Sequence, residues 1–346
     1  MLGLEFFSRK SATRAKVLID IGAETVAGAI SYEQEGQVPV LLYVRRLPIE
    51  GRRGEAHHKA MLRALAILGD ALVREGAPVL ARTTGSGTPD AILVSVDAPW
   101  QTTSVRTEHF EGNEPFTFTK ALVDEALAKA ACAVPGKRIC DESIVGALLN
   151  GYATHQPYGK KVHRAAVVVL SSLIEEPIAV SITETLSALY HTKRITLISG
   201  SSLRYQAIRT AFPHEHDLLI LDATGPVVSL SLVRRDLLVA LSEEEDGGVG
   251  SPKWVKEVSA ALDELSKQNP LPHTIFLLSR ESDTMDIEKT LADAKLGSLW
   301  LSDNPPKIVP ILPSHLAAVV RQADSTLPDL PLLLIAVYAD RNGLVY

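Results

Sequence analysis

Apolar residues recur along the chain at two periods, and each change of period marks a new element. Residues 17–21, 26–32 and 39–46 run apolar or alternate, with short polar turns between them, and predict a three-stranded meander. Residues 56–75 place Met61, Leu62, Leu65, Leu68 and Leu72 at helical spacing. Gly76 and Pro78 should close that helix, and a loop should follow over 81–89. Residues 91–96 read as a buried strand running into Asp97, Ala98, Pro99 and Trp100. Strands are expected over 101–109, 137–149, 162–173 and 193–198. Helices are expected over 119–133, with Thr119 as N-cap, and over 178–190 and 202–212.

One stretch organises this pattern: residues 17–32, VLIDIGAETVAGAISY. Its partner is 218–233, LLILDATGPVVSLSLV, and both follow one plan of apolar strand, Asp, turn and alternating second strand. Beyond the second stretch, 242–250 (SEEEDGGVG) reads as an acidic loop. Residues 254–265 read as a helix with Trp254, Val255, Val258, Leu262 and Leu265 on its apolar face. A strand over 274–278, a helix over 286–294, a strand over 308–312, a helix over 316–323 and an apolar last element over 332–338 complete the chain. The one duplication is architectural.

Composition narrows the classes. With 346 residues, 46% of them hydrophobic, the chain has material for two cores. Its net charge of −6 gives no general attraction to nucleic acid or anionic lipid. Cys132 and Cys140 fit reduced structural thiols, since no signal peptide precedes them. No apolar run approaches the roughly 18 to 20 residues that cross a bilayer. The opening MLGLEFFSRK reads as a tail folded onto the body, with a weak interfacial anchor as the alternative.

The candidate chemistry sits at the two hairpins. A strand that ends in Asp and doubles back through small residues presents N–H groups to phosphates and a carboxylate to a hydrated metal. Asp20 and Asp222 hold those positions. Alternatively each caps its own turn by accepting turn N–H bonds. His57, His58, His214 and His216 lack further ligands at a metal spacing and read as surface or turn residues. Gly200-Ser201-Ser202 has no nucleophile-elbow frame and reads as a helix N-cap. Tyr158, Lys160, Lys161, His163 and Arg164 form the most basic patch, either a solvated turn flank or a docking surface for an acidic or membrane-proximal partner.

Asp20, Ile21, Gly22 and Val26 match a D-I-G-x-x-x-V pattern, and 96–100 is similar to a strand ending in Ser-Ala-Pro-Trp. With an α+β insertion before the second hairpin, the chain resembles the actin-like ATPase superfamily, in the branch of the cell-division protein FtsA and the pilus-assembly protein PilM. The resemblance implies an α/β fold of duplicated actin-like (ribonuclease H-like) domains with an inserted α+β, SHS2-like subdomain. The expected division is 1–100, 101–200 and 201–346, with the cleft-wall subdomain reduced or absent. It also implies ATP held by Asp20, Gly22, Thr25, Asp222, Thr224 and Gly225, and magnesium held through water by Asp20 and Asp222. Protein docking would fall at the inserted subdomain, at Tyr158, Lys160, Lys161 and Arg164.

The departures are specific. Where the family's second hairpin reads D-I-G-G-G-T-T-D, this chain has Asp222, Ala223, Thr224, Gly225, Pro226, Val227, Val228 and Ser229. Pro226 has no N–H to give a phosphate and a fixed φ. Glu24 replaces a small turn residue, and facing a phosphate at about 5 Å it would cost roughly 3 kcal/mol per charge. Ser279, Arg280 and Glu281 stand where the resemblance places an adenine-packing Gly-Gly-Gly, and should fill that space.

These departures lead to an expected non-catalytic scaffold, a pseudo-ATPase in a membrane-associated assembly for cell division or type IV pilus biogenesis, with no catalytic residue. The alternative is a member that binds magnesium-ATP and cycles or polymerises with it. The expected partner is a protein at the cytoplasmic face of the inner membrane, with self-association and without nucleic acid. The chain is expected to be cytoplasmic or peripheral to that membrane. Ending at Tyr346 without the amphipathic helix of FtsA-type proteins, it leans towards the pilus role. An unrelated α/β enzyme would need a nucleophile, base or metal constellation that the sequence does not offer.

Overall fold

The computed structural model describes residues 13–130, 134–154, 156–245, 251–294, 296–300, 306–323 and 327–341. The first meander is β1 (Thr13–Ile21), β2 (Thr25–Gln34) and β3 (Val40–Pro48). Then come α1 (His57–Ala71), a π-helical turn (Leu72–Gly76), α2 (Ala77–Thr84) and β4 (Ala91–Val96). β5 (Gln101–Thr117), α3 (Lys120–Ala130), β6 (Lys137–Leu149), β7 (Tyr152–Ala153) and β8 (Lys161–Glu175) form the inserted unit. α4 (Glu176–Tyr190), β9 (Ile195–Ser199) and α5 (Gly200–Ala211) lead to a second meander, β10 (Leu218–Ala223), β11 (Val227–Arg234) and β12 (Leu237–Glu245). The chain continues through α6 (Pro252–Gln268), β13 (Thr274–Ser279), α7 (Thr284–Asp293), β14 (Lys307–Pro310), β15 (Arg321–Gln322) and α8 (Leu330–Arg341).

The strands form three sheets, ordered β15-β3-β2-β1-β4-β9, β12-β11-β10-β13-β14 and β5-β8-β6-β7. Without β15, the first two have one plan: an antiparallel meander whose first strand is flanked by two successive parallel strands. The facing sides of these sheets enclose α5 and α8, in a core that joins Leu18 and Ala27 to Leu218 and Ile220 through Leu203, Ile208 and Leu334. Because α8 lies between two apolar layers, its residues Leu332 to Val337 are all buried. A helix buried all round carries no amphipathic stripe. α1 and α4 cover the outer face of the first sheet, α6 and α7 that of the second, and α3 one face of the inserted sheet.

Four local expectations are corrected. Pro78 does not end the first helix, because the π-helical turn resets the hydrogen-bond pattern and Pro78 falls in the first turn of α2, where its missing N–H costs nothing. Gly28 in β2 lets this turn come close, since a Cβ there would lie 2.6 Å from Leu72 Cδ1. Residues 242–245 belong to β12, paired with β11, and are not loop; 246–250 lie outside the described residues. The helix expected at 316–323 is a 3-10 turn, Pro313–Leu316, followed by β15, which finds a partner on the edge of β3. The N-cap position of α5 is Ser199, and Ser201 is free to bond elsewhere. Cys132 and the opening segment 1–12 lie outside the described residues.

Trp254 is fully buried in the core between α6 and the second sheet. Trp254→Ala should therefore lower unfolding free energy by about 3–5 kcal/mol in chemical denaturation, whereas a loss under 1 kcal/mol would mean that α6 does not pack there.

Candidate functional site

Both hairpin aspartates come to one cleft between the two sheets. Asp20 ends β1, Asp222 ends β10, and each is 3% exposed. Gly22, Thr25, Thr224, Gly225 and Pro226 line the same cleft, as do Asp97, Arg46, Arg204 and Glu243. The open volume left is about 40 Å3, against the several hundred that a nucleotide-sized ligand occupies.

Guanidinium groups fill the rest. Arg204, on the first turns of α5, donates to Asp97 Oδ1 at 2.6 Å and pairs with Asp222 Oδ2 through Nε. It is 6% exposed. Gly200 makes room, because any Cβ at that position would run into the Asp97 carboxylate. Arg46 donates to Asp20 Oδ2 at 3.0 Å, to both oxygens of Asp329 at 2.8 and 2.9 Å, and to Thr25 Oγ1 at 2.7 Å.

The strand register explains the Asp20 pair. Asp20 lies opposite Ala27, and Ala27 opposite Arg46, so the three form one row across β1, β2 and β3. A small middle residue lets the guanidinium reach over it. The second meander repeats the row as Asp222, Ser229 and Glu243. Here the outer charge is negative and turns to the α5 and β5 side, where Glu243 accepts from Ser201 Oγ at 2.6 Å, Gln101 Nε2 at 3.2 Å and the Thr103 N–H at 3.3 Å. One carboxylate thus ties the second meander to the start of the inserted sheet.

The two turns are held differently. Asp222 caps its turn, accepting from the Thr224 N–H at 3.0 Å and the Thr224 hydroxyl at 2.7 Å. Asp20 does not; its Oδ2 takes Arg46, and its buried Oδ1 has no hydrogen-bond partner among the described residues. The first turn closes instead by a Gly22 N–H to Thr25 carbonyl bond of 2.9 Å. Trp100 Nε1–H donates to the Gly22 carbonyl at 2.7 Å, while His57 bonds the Ala23 carbonyl at 2.8 Å and stacks on Trp100. Glu24 lines the same cleft with its side chain largely exposed, and its carboxylate is 4.0 Å from Arg280.

Four carboxylates, Asp20, Asp97, Asp222 and Asp329, share two guanidinium groups, and the imbalance has a consequence. Burial pushes Asp97 up to about 7 against the pull of Arg204, with Asp20 and Asp222 adding to the rise. Burial also raises Asp20 despite Arg46 and Arg204. Both arginines are desolvated, yet the surrounding carboxylates drive them further up and keep them charged.

Arg280 turns its Nε–H to the Thr224 carbonyl at 3.1 Å. The expected filling at 279–281 is therefore partial: a cavity of about 220 Å3 remains beside Ser279, Arg280, Ile311, Leu312 and Pro331. The basic patch lies apart from the cleft. Tyr158 stacks on Phe118 with centroids 5.9 Å apart, Lys160 donates to Thr154 Oγ1 at 3.3 Å, and Lys161 and Arg164 are exposed on β8. Arg46, Arg204, Asp329 and Glu243 were not singled out in the sequence. The available signal was Asp97, standing where the resemblance places a serine: a third Asp at one cleft demands a further cation. No group of three or more His, Cys, Asp or Glu side chains among the described residues is arranged to hold a metal ion.

Two sheets of equal strand order, each with an Asp-tipped hairpin facing a shared cleft, define the duplicated α/β architecture of the actin-like ATPase fold. No protein-family profile matches the chain, and no curated protein matches it in sequence. Among solved structures the chain is similar to a PilM-PilN type IV pilus biogenesis complex, at 15% identity and a TM-score of 0.59 over 98% of this chain and 100% of that one. It also aligns with a Bacteroides thetaiotaomicron protein of actin-like ATPase fold and unknown function, at 9% identity and a TM-score of 0.49 over 96% and 99% of the two chains. At these identities the likeness is one of fold.

Two outcomes follow from the charges. Arg204→Ala leaves Asp97 and Asp222 buried without their cation and should cost about 3–5 kcal/mol of stability in urea unfolding. Asp97 holds its proton more tightly folded than unfolded, so its contribution is full below about pH 4 and is lost as pH rises through 7. The stability of the wild type relative to Asp97→Asn should therefore fall between pH 4 and 8, by as much as about 4 kcal/mol. A difference flat in pH would place an ordinary carboxylate at Asp97.

Proposed function

We propose that this protein is a non-catalytic actin-like scaffold, a pseudo-ATPase, in a membrane-associated bacterial assembly such as type IV pilus biogenesis or cell division. The observation that carries it is Arg204. Its guanidinium lies between Asp97 and Asp222, so internal ion pairs occupy the carboxylates that would otherwise face hydrated magnesium. The partner is a protein at the inner face of the membrane, and the exposed cations of Lys160, Lys161 and Arg164, with Tyr158 beside them, suit an acidic segment of it. The likeness to a PilM structure solved with PilN supports the pilus setting. No helix among the described residues is long and apolar enough to cross a membrane, which fits peripheral attachment through such a partner.

One observation favours the alternative, a protein that binds ATP and cycles with it. Asp20 Oδ1 is buried without a hydrogen-bond partner among the described residues, and Asp20, Gly22, Thr25, Asp222, Thr224 and Gly225 still line one cleft. Isothermal titration with magnesium-ATP and magnesium-ADP separates the two. The scaffold predicts no heat up to millimolar nucleotide. Micromolar binding that Asp20→Ala abolishes would put the ATP-cycling protein in its place.

A further inference from the structure

β5 is an edge strand. It pairs with β8 along one side only, over 101–111 and again at 116 and 117. The Thr103 N–H turns away from β8 to Glu243. Backbone direction alternates along a strand, so the N–H and C=O groups of Val105, Thr107, His109 and Glu111 also point outward. No hydrogen bond takes these groups up among the described residues. Edges of this kind are templates for a further strand.

A second observation lies at the outer end of the same edge. There a cavity of about 510 Å3 is lined by His109, Phe110, Gly112, Phe116 and Leu122, between β5 and the start of α3. Its apolar wall suits one large hydrophobic side chain. Glu111 borders the cavity and Glu114 lies in the bulge next to it; both are exposed, and neither has an ion pair among the described residues. The occupant these features call for is an extended segment with apolar residues at period two, an aromatic anchor and then basic residues.

The chain carries such a segment. Leu2, Leu4 and Phe6 alternate, and Arg9 and Lys10 follow, so that a segment running parallel to β5 with Phe6 beside His109 and Phe110 carries its two cations on towards Glu111 and Glu114. We propose that the free edge of β5 takes residues 2–10 of a second copy of this chain as a fifth strand, with Phe6 in the cavity and Arg9 and Lys10 against Glu111 and Glu114. A second copy reaches the edge more directly than the same chain. Thr13 lies at the end of β1 away from Asp20, while β5 leaves the first sheet at the Asp20 end, next to β4.

The test uses the full-length protein with p-benzoylphenylalanine in place of Phe6, mixed in unlabelled and nitrogen-15 forms, irradiated and mapped by mass spectrometry. Crosslinks between differently labelled copies, falling within 105–122, are expected. The exposed pair Glu111→Lys with Glu114→Lys should cut their yield at least tenfold, and adding Arg9→Glu with Lys10→Glu should restore it. Crosslinks at the same residues within one copy would overturn the second-copy assignment. Links elsewhere, no links, or a yield indifferent to charge reversal would overturn the site.

Discussion

Everything at the cleft depends on one electrostatic constraint: a buried carboxylate needs a cation, and the cation must come from somewhere. In the nucleotide-binding pattern that the hairpins resemble, magnesium supplies it. Here the chain supplies it, from α5 for Asp97 and Asp222 and from β3 for Asp20. Taking such ions out of water costs several kcal/mol each, and attraction returns that cost only where the geometry is good. The positions are accordingly tight, and the surplus negative charge appears as a rise in Asp97 and Asp20 instead of as an open space.

Duplication decides where those charges fall. Each meander offers the same row, Asp on its first strand, a small residue on its second, and a charged residue on its third. In the first half the outer charge is Arg46, which neutralises its own Asp. In the second half it is Glu243, which would repel Asp222, and it turns instead to Ser201, Gln101 and Thr103. Arg204 then becomes necessary for Asp222. One sign difference at equivalent positions thus gives the halves separate tasks, closing the cleft and anchoring the inserted sheet.

The architecture was legible because it rests on period and order. Apolar alternation and the two Asp-tipped turns set both meanders, and the helical stripes at 56–75 and 254–265 are the faces that pack into the cores of the first and second sheets. Local rules failed where tertiary context replaced them. Pro78 signals a helix end only while the hydrogen-bond pattern is regular, and the π-helical turn changes that pattern. The acidic run at 242–245 looks solvated, but β11 pairs with it and the Glu243 carboxylate finds three polar partners, Ser201, Gln101 and Thr103. Arg46 and Arg204 were hidden for a different reason. An arginine in a strand or a helix is ordinary in sequence, and only the register across three strands, or the approach of α5 to β4 at Gly200, reveals what it faces.

The same pairs bear on how such a protein would act as a scaffold. A nucleotide-driven switch needs two arrangements of the cleft that a ligand binds unequally. With Arg204 between Asp97 of the first half and Asp222 of the second, the halves are already joined by a cation that cannot leave. Opening the cleft would strip that cation from two buried carboxylates at once, a cost of the size expected for breaking a buried pair. The inserted sheet is held to the same frame through Glu243, so its edge and its basic patch keep a fixed direction relative to the cleft. For a docking platform this is an advantage, since binding then pays little to order the surface.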